Sequence, residues 1–249
     1  MLVYRGKLNW STVIPVIINE QFTFVFPGPK FELGASGTFF WPWSGGMATS
    51  TAKIESIVIL QTGESQIRFR PITSPSSYHF EAIFSDDMKS VTIVIISFSL
   101  KSDPAVLNIE YNSPLATGDP RYFFGKMNWL TYAKDEEMLV IIPHDGDVGS
   151  DIIAYWQWTV SASGEAKKNV NFKDIIRTSE ETAEGETVTF GEYPTTYYTF
   201  NGVISKDGQT FTVNMQNPSG AKGGPFVLRF YRRPVVGDEN HDDHRYFGH

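Results

Sequence analysis

Cysteine is absent from all 249 residues. That removes disulfides, thiolate nucleophiles and cysteine-bound metals from consideration, and it fits a reducing compartment. Long apolar runs are absent too. The longest candidate, Val91-Thr92-Ile93-Val94-Ile95-Ile96, is strand length, well short of the ~20 residues of a membrane helix. Clustered positive charge is missing: 21 Lys and Arg stand against 28 Asp and Glu, a formal charge of −7. Neither nucleic acid nor an anionic membrane is therefore an expected partner. Met1-Leu2-Val3-Tyr4-Arg5-Gly6 lacks the basic-then-apolar pattern of a secretory leader, so a cytoplasmic location is expected. On that expectation the sequon Asn9-Trp10-Ser11 never meets the glycosylation machinery.

Motifs of catalysis are scarce as well. No nucleophile elbow, Ser-His-Asp grouping, phosphate-cradling glycine loop or zinc pattern occurs, and neither a cofactor nor a metal is expected. Asp145, Asp147 and Asp151 have the spacing of a calcium loop, but Trp156 occupies the twelfth position, where a bidentate glutamate is needed. That loop reads as a solvated connector. His241, Asp242, Asp243, His244 and His249 read as an acidic tail from residue 235 onward. His79, alone in a strand pattern, reads as a surface or satisfied core histidine.

Aromatic residues are abundant, at 14% of the chain, and much of the sequence occurs twice. Gly6-Lys7-Leu8-Asn9-Trp10 returns 119 positions later as Gly125-Lys126-Met127-Asn128-Trp129. Four more echoes follow in the same order. Phe24-Val25-Phe26-Pro27 matches Val140-Ile141-Ile142-Pro143, and Phe40-Trp41-Pro42-Trp43 matches Tyr155-Trp156-Gln157-Trp158. Gly63-Glu64-Ser65 matches Gly185-Glu186-Thr187, and the stretch from Tyr78 to Met88 matches that from Tyr198 to Gly208. All six tryptophans fall at duplicated positions. Within the last echo Asp207-Gly208 is a hairpin signal, whereas Met88 stands where glycine is favoured.

Short alternating runs separated by turn residues predict an all-β chain. Strands are expected at 2–10, 12–19, 21–26, 53–60, 66–70, 105–111 and 226–231. The duplication predicts residues 1–117 and 118–234 as two similar units of about eight strands. Each is expected to be an antiparallel β-barrel or β-sandwich, with the same strand order. The second half carries extra residues between Ser163 and Glu184, and the polar stretch Asp174 to Glu184 predicts a short helix or mobile flap. The architecture resembles the lipocalin-like (calycin-like) barrels. That family opens on a glycine and tryptophan spaced Gly-x-Trp, whereas Gly6 to Trp10 and Gly125 to Trp129 are spaced Gly-x-x-x-Trp, so the resemblance covers architecture only.

Residues i and i+2 of a strand share a face, so each Trp pair is presented on one side. An indole face suits stacking on sugar rings or flat apolar ligands. Trp41, Trp43, Trp156 and Trp158 are therefore the candidate ligand-binding residues, with Asn9, Asn128, Tyr78 and Tyr198 beside them. The competing reading is that these aromatics fill two β cores. The expected function is a non-enzymatic, lectin-like binding protein with two pseudo-equivalent sites, carbohydrate being the favoured ligand. The alternative is a cofactor-free enzyme, a cyclase or isomerase acting on a small apolar molecule in a barrel cavity. An oligomer is compatible with either.

Overall fold

The computed structural model describes residues 1–14, 16–28, 30–43, 46–73, 78–112, 119–129, 133–143, 152–157, 169–171, 178–191 and 198–233. At 42, 43, 46, 133, 134, 157, 169–171 and 178–181 it describes the backbone only. The described residues are all-β, with no helix. The chain divides into two compact units between Thr117 and Gly118, with Arg233 returning to the first.

The first unit carries β1 (Leu2–Trp10), β2 (Ile17–Phe26), β3 (Ser36–Trp43), β4 (Gly46–Ile59) and β5 (Ser65–Pro71). It continues through β6 (Tyr78–Phe84), β7 (Ser90–Ser97), the two-residue β8 (Leu100–Lys101) and β9 (Ala105–Asn112). Each strand from β1 to β7 pairs antiparallel with the next, and β9 joins β7 to β1. The sheet is thus an eight-stranded antiparallel barrel, with β8 appended to β7 as a short hairpin. Closure settles the choice between barrel and sandwich for this unit. Alternation does the rest: β6 reads Tyr78-His79-Phe80-Glu81-Ala82-Ile83-Phe84, with every odd-placed residue of the run buried. The interior is filled by Phe24, Phe39 and Phe80, whose rings stack at centroid distances of 4.5 and 3.9 Å.

The second unit carries β10 (Arg121–Trp129), β11 (Ala133–Ile142), β12 (Ile153–Gln157), β13 (Asn169–Asn171) and β14 (Thr178–Glu181). It ends with β15 (Gly185–Gly191), β16 (Thr199–Ser205), β17 (Thr210–Gln216) and β18 (Lys222–Tyr231). The spatial order β13-β12-β11-β10-β18-β17-β16-β15-β14 repeats that of the first barrel, strand for strand. β8 has no counterpart among the described residues, and the main difference lies elsewhere. β4 pairs with both of its neighbours, whereas its counterpart is two pieces: β13 pairs with β12, and β14 with β15. Among the described residues β13 and β14 are not paired with each other, and the sheet is a curled half-barrel.

Two expectations change. β2 begins at Ile17, not Thr12, because Ser11 to Ile14 turn from one strand to the next. The helix or flap expected near 163–184 is not a helix at Thr178–Glu181, which pairs with β15; residues 163–168 and 172–177 lie outside the described residues. The loop 144–151 and the tail from 235 also lie outside them.

The repeated Gly-Lys-x-Asn-Trp phrase proves architectural. Gly6 and Gly125 let the neighbouring strand come close: a Cβ would stand 2.2 Å from the Val106 carbonyl oxygen and 2.7 Å from that of Val227. The next turn of the phrase opens a β-bulge in each unit, between Leu8 and Trp10 and between Met127 and Trp129. The tryptophans then enter the cores.

Candidate functional site

Trp41 and Trp156 are each 1% exposed and take equivalent core positions. Trp41 meets Phe22 and Phe80 edge-on; Trp156 meets Tyr198 at 6.2 Å and Phe200 at 5.5 Å. Neither indole presents a face to solvent. The side chain of Trp43 and the whole of Trp158 lie outside the described residues, so the second member of each pair is not placed. Tyr78 is buried against Phe80. Tyr198 is half-buried, edge-on to Trp129 at 5.5 Å, and joins the core from its rim.

Asn9 and Asn128 bond the backbone of the facing strand. Each is exposed and serves its bulge. Asn9 Oδ1 accepts the backbone N–H of Asn19, and Asn128 Oδ1 that of Asp135, at 2.6 and 2.9 Å. Asn128 Nδ2 also donates to Asp135 Oδ1. Asn19 and Asp135 both have positive φ, 54° and 52°, a conformation that Asn and Asp tolerate better than other non-glycine residues. The duplicated asparagine therefore holds a left-handed residue on the facing strand.

The structure points to a different face. On β16 Phe200, Gly202 and Ile204 turn inward, and Thr199, Asn201 and Val203 outward. β17 alternates without a fault: Phe211, Val213 and Met215 inside, Thr210, Thr212, Asn214 and Gln216 outside. Register then sets the outward side chains in rows. Thr189, Asn201 and Asn214 lie directly across from one another on β15, β16 and β17. Thr199, Gln216 and Lys222 form the next row. A bulge between Val213 and Met215 displaces the end of β18 beside this row.

Two concavities open on this face. The larger, of about 640 Å³, is lined by Thr189, Thr199, Asn201, Asn214, Gln216 and Lys222 over a floor that includes Phe200 and Met215. The smaller, of about 330 Å³, is lined by Val203, Ser205, Thr210, Thr212 and Glu184. Asn201 and Asn214 line both, so the two are one trough. Gly223 at its rim is backed by the core: a Cβ there would meet Trp129 Cδ1 at 2.4 Å. Thr199, Asn201, Asn214 and Gln216 are all exposed, and their side chains hold no hydrogen bond among the described residues. An amide offers two donors and two acceptor lone pairs, and a hydroxyl one donor and two acceptors. This face can therefore exchange many neutral hydrogen bonds with a polar ligand.

The first unit has the same face with other chemistry. Register places Arg68 where Thr189 stands, Glu81 where Asn201 stands and Val94 where Asn214 stands. Arg68 Nη2 donates to Glu81 Oε1 at 2.8 Å, and His79 Nε2 lies 3.5 Å from the same oxygen. Arg70 holds Glu55 through two bonds of 2.8 and 3.1 Å. Burial disfavours the Glu81 carboxylate, but the bonds and charges of Arg68 and His79 outweigh it and hold the group below its usual range. The Arg70 hydrogen bond likewise holds Glu55 low. These polar groups are already committed to one another.

No group of three or more His, Asp or Glu suited to a metal ion occurs among the described residues. No family model, curated protein or solved structure matches the chain. Sequence reasoning missed Thr189, Asn201, Asn214 and Gln216. The signal was present in Thr210-x-Thr212-x-Asn214-x-Gln216, an outward stripe with no charge and no large apolar residue.

Proposed function

We propose that this protein is a non-enzymatic, lectin-like binding protein whose carbohydrate ligand lies on the outer face of β15 to β17 and the start of β18. The observation that carries the reading is the row of exposed, uncommitted amides and hydroxyls at Thr199, Asn201, Asn214 and Gln216 in a concavity of about 640 Å³. Ligand sites commonly measure ~300–1,000 Å³. The expected two equivalent sites become one, because the matching face of the first unit is occupied by its own ion pairs. An interior stacked with Phe24, Phe39 and Phe80 favours recognition outside that barrel over catalysis within it.

The test is calorimetric titration of the full chain against a panel of neutral saccharides, repeated with Asn201→Ala/Asn214→Ala. Binding at one site per chain, weakened about tenfold or more by the double change with the melting temperature kept, is the expected result. Each lost net hydrogen bond is worth ~1 kcal/mol. A panel that gives no binding defeats the reading.

A further inference from the structure

We infer that the occupant of the trough is a neutral oligosaccharide chain of more than one ring, running from the larger concavity across the Asn201–Asn214 pair into the smaller. This deepens the proposed function and rests on it.

Length comes from the shared lining. The concavities of about 640 and 330 Å³ each fall within the ~300–1,000 Å³ of ordinary ligand sites, and both include Asn201 and Asn214. A single ring occupies part of one of them and leaves the rest of the polar lining to water. A chain satisfies both, with the asparagine pair at the junction. Strand geometry then defines the path. Outward residues of one strand repeat every second position, about 7 Å apart, so the rows Thr199–Gln216, Asn201–Asn214 and Val203–Thr212 are successive steps along the sheet. The chain thus advances along the strands from Gln216 toward Thr210, crossing one row after another.

Neutrality comes from charge. Lys222 stands at the end of the larger concavity and Glu184 beside the smaller; between them the lining is amide, hydroxyl, glycine and apolar carbon. An anionic sugar meets no paired cation over the asparagine row, and the chain's net charge of −7 repels it. Sugars without charge lose nothing by that arrangement, because hydroxyls exchange donors and acceptors with amides on equal terms.

Two substitutions separate the halves. Gln216 lines only the larger concavity, and Thr212 only the smaller. Calorimetry with glucose- and N-acetylglucosamine-based mono-, di- and tetrasaccharides, and with a sulfated tetrasaccharide, supplies the readout. Affinity should rise at least about tenfold from the best monosaccharide to its tetrasaccharide. Gln216→Ala should weaken every length by about fivefold, the effect of one net hydrogen bond. Thr212→Val, which keeps the branched shape and removes the hydroxyl, should erase most of the gain with length and leave the monosaccharide unchanged. The sulfated ligand should bind more weakly than its neutral parent. Affinity that is flat with length, a Thr212→Val protein indistinguishable from wild type, or a sulfated ligand bound as tightly as the neutral one overturns this inference while leaving single-ring recognition standing. If no saccharide of any length binds, the proposed function falls with it.

Discussion

The two units share a scaffold and differ on its outside. β6 and β7 carry His79, Glu81, Val94 and Ile96 where β16 and β17 carry Thr199, Asn201, Asn214 and Gln216. In the first unit the face is closed chemically: Arg68 and Arg70 neutralise Glu81 and Glu55, and the next strand carries Val94 and the buried Ile96. In the second it is open chemically, with the side chains of Thr199, Asn201, Asn214 and Gln216 uncommitted. Duplication keeps what the barrel needs and frees what it does not. The inward residues Phe80 and Phe200, Phe84 and Ile204, and Val91 and Phe211 remain large and apolar, because each fills interior volume. The outward positions have no such constraint, and there the units diverge.

The largest expected effect tests the part that is shared. Trp41→Ala and Trp156→Ala each remove a fully buried indole, and each should cost ~3–5 kcal/mol in denaturant melts. Binding by the molecules that remain folded should be unaffected. If Trp156→Ala instead keeps its melting transition and loses saccharide binding, the indole belongs to a site and the trough is not where the ligand lies.

The next effect tests what differs. Arg68→Thr, Glu81→Asn and Val94→Asn together write the polar row of the second unit onto the first. Exposed ion pairs contribute ~0–1 kcal/mol, so the triple variant should fold normally. Calorimetry should then give a second saccharide site, with stoichiometry rising from one to two. A stoichiometry that stays at one means shape, through the bulge beside Gly223 and Gly224, matters more than charge.

Much of this was legible in the sequence. Five ordered echoes predicted two units with one strand order, which the sheets have. The fate of Trp41 and Trp156 was left between core and site, and burial places both in the cores. Two features were not legible, for physical reasons. The backbone work of Asn9 and Asn128 depends on a bulge, and bulges leave no periodic signal. Asn201 and Asn214 are thirteen positions apart and become neighbours only when the Ser205–Thr210 turn sets the register.

The turns at Met88 and Gly208 sharpen the comparison on a smaller scale. Both residues have positive φ, 58° and 71°, and the surrounding hydrogen bonds are duplicated. Ser85 Oγ donates to Asp87 as Ser205 Oγ does to Asp207, and the backbone N–H groups of Ser90 and Thr210 donate to those hydroxyls. A left-handed side chain costs roughly 1–2 kcal/mol. Nothing lies within 4 Å of a Cβ at Gly208, so Gly208→Met should cost about 1 kcal/mol in thermal melts from backbone strain alone. Met88 packs against the core, so Met88→Gly relieves the strain and loses the packing, and the net change should be close to zero. A clear destabilisation by Met88→Gly would show that packing outweighs strain in this turn.

The smallest effect separates the same two turns by charge. The Asp87 carboxyl is pulled down from 3.8 to about 2, first by the Lys89 backbone N–H, then by the Lys89 ammonium at 3.0 Å and the Ser85 hydroxyl. Asp207 is lowered by the Ser205 hydroxyl and the Gln209 backbone N–H, and the residue facing it is neutral. A carboxyl whose folded pKa is depressed binds fewer protons than in the unfolded chain, so its contribution is complete above the unfolded value and declines as pH falls. For Asp87 the decline runs from about pH 4 to about pH 2. Asp87→Asn should therefore flatten the acid limb of a stability–pH curve in that window, and Asp207→Asn should do the same at its own depressed value. Salt distinguishes them. Screening weakens the exposed Lys89–Asp87 attraction but not hydrogen bonds to neutral donors. Carboxyl titration by NMR in high salt should raise the Asp87 pKa and leave that of Asp207 nearly fixed. Equal shifts at the two positions would mean that the lysine contributes only its backbone, and that the turns are electrostatically as alike as they are in shape.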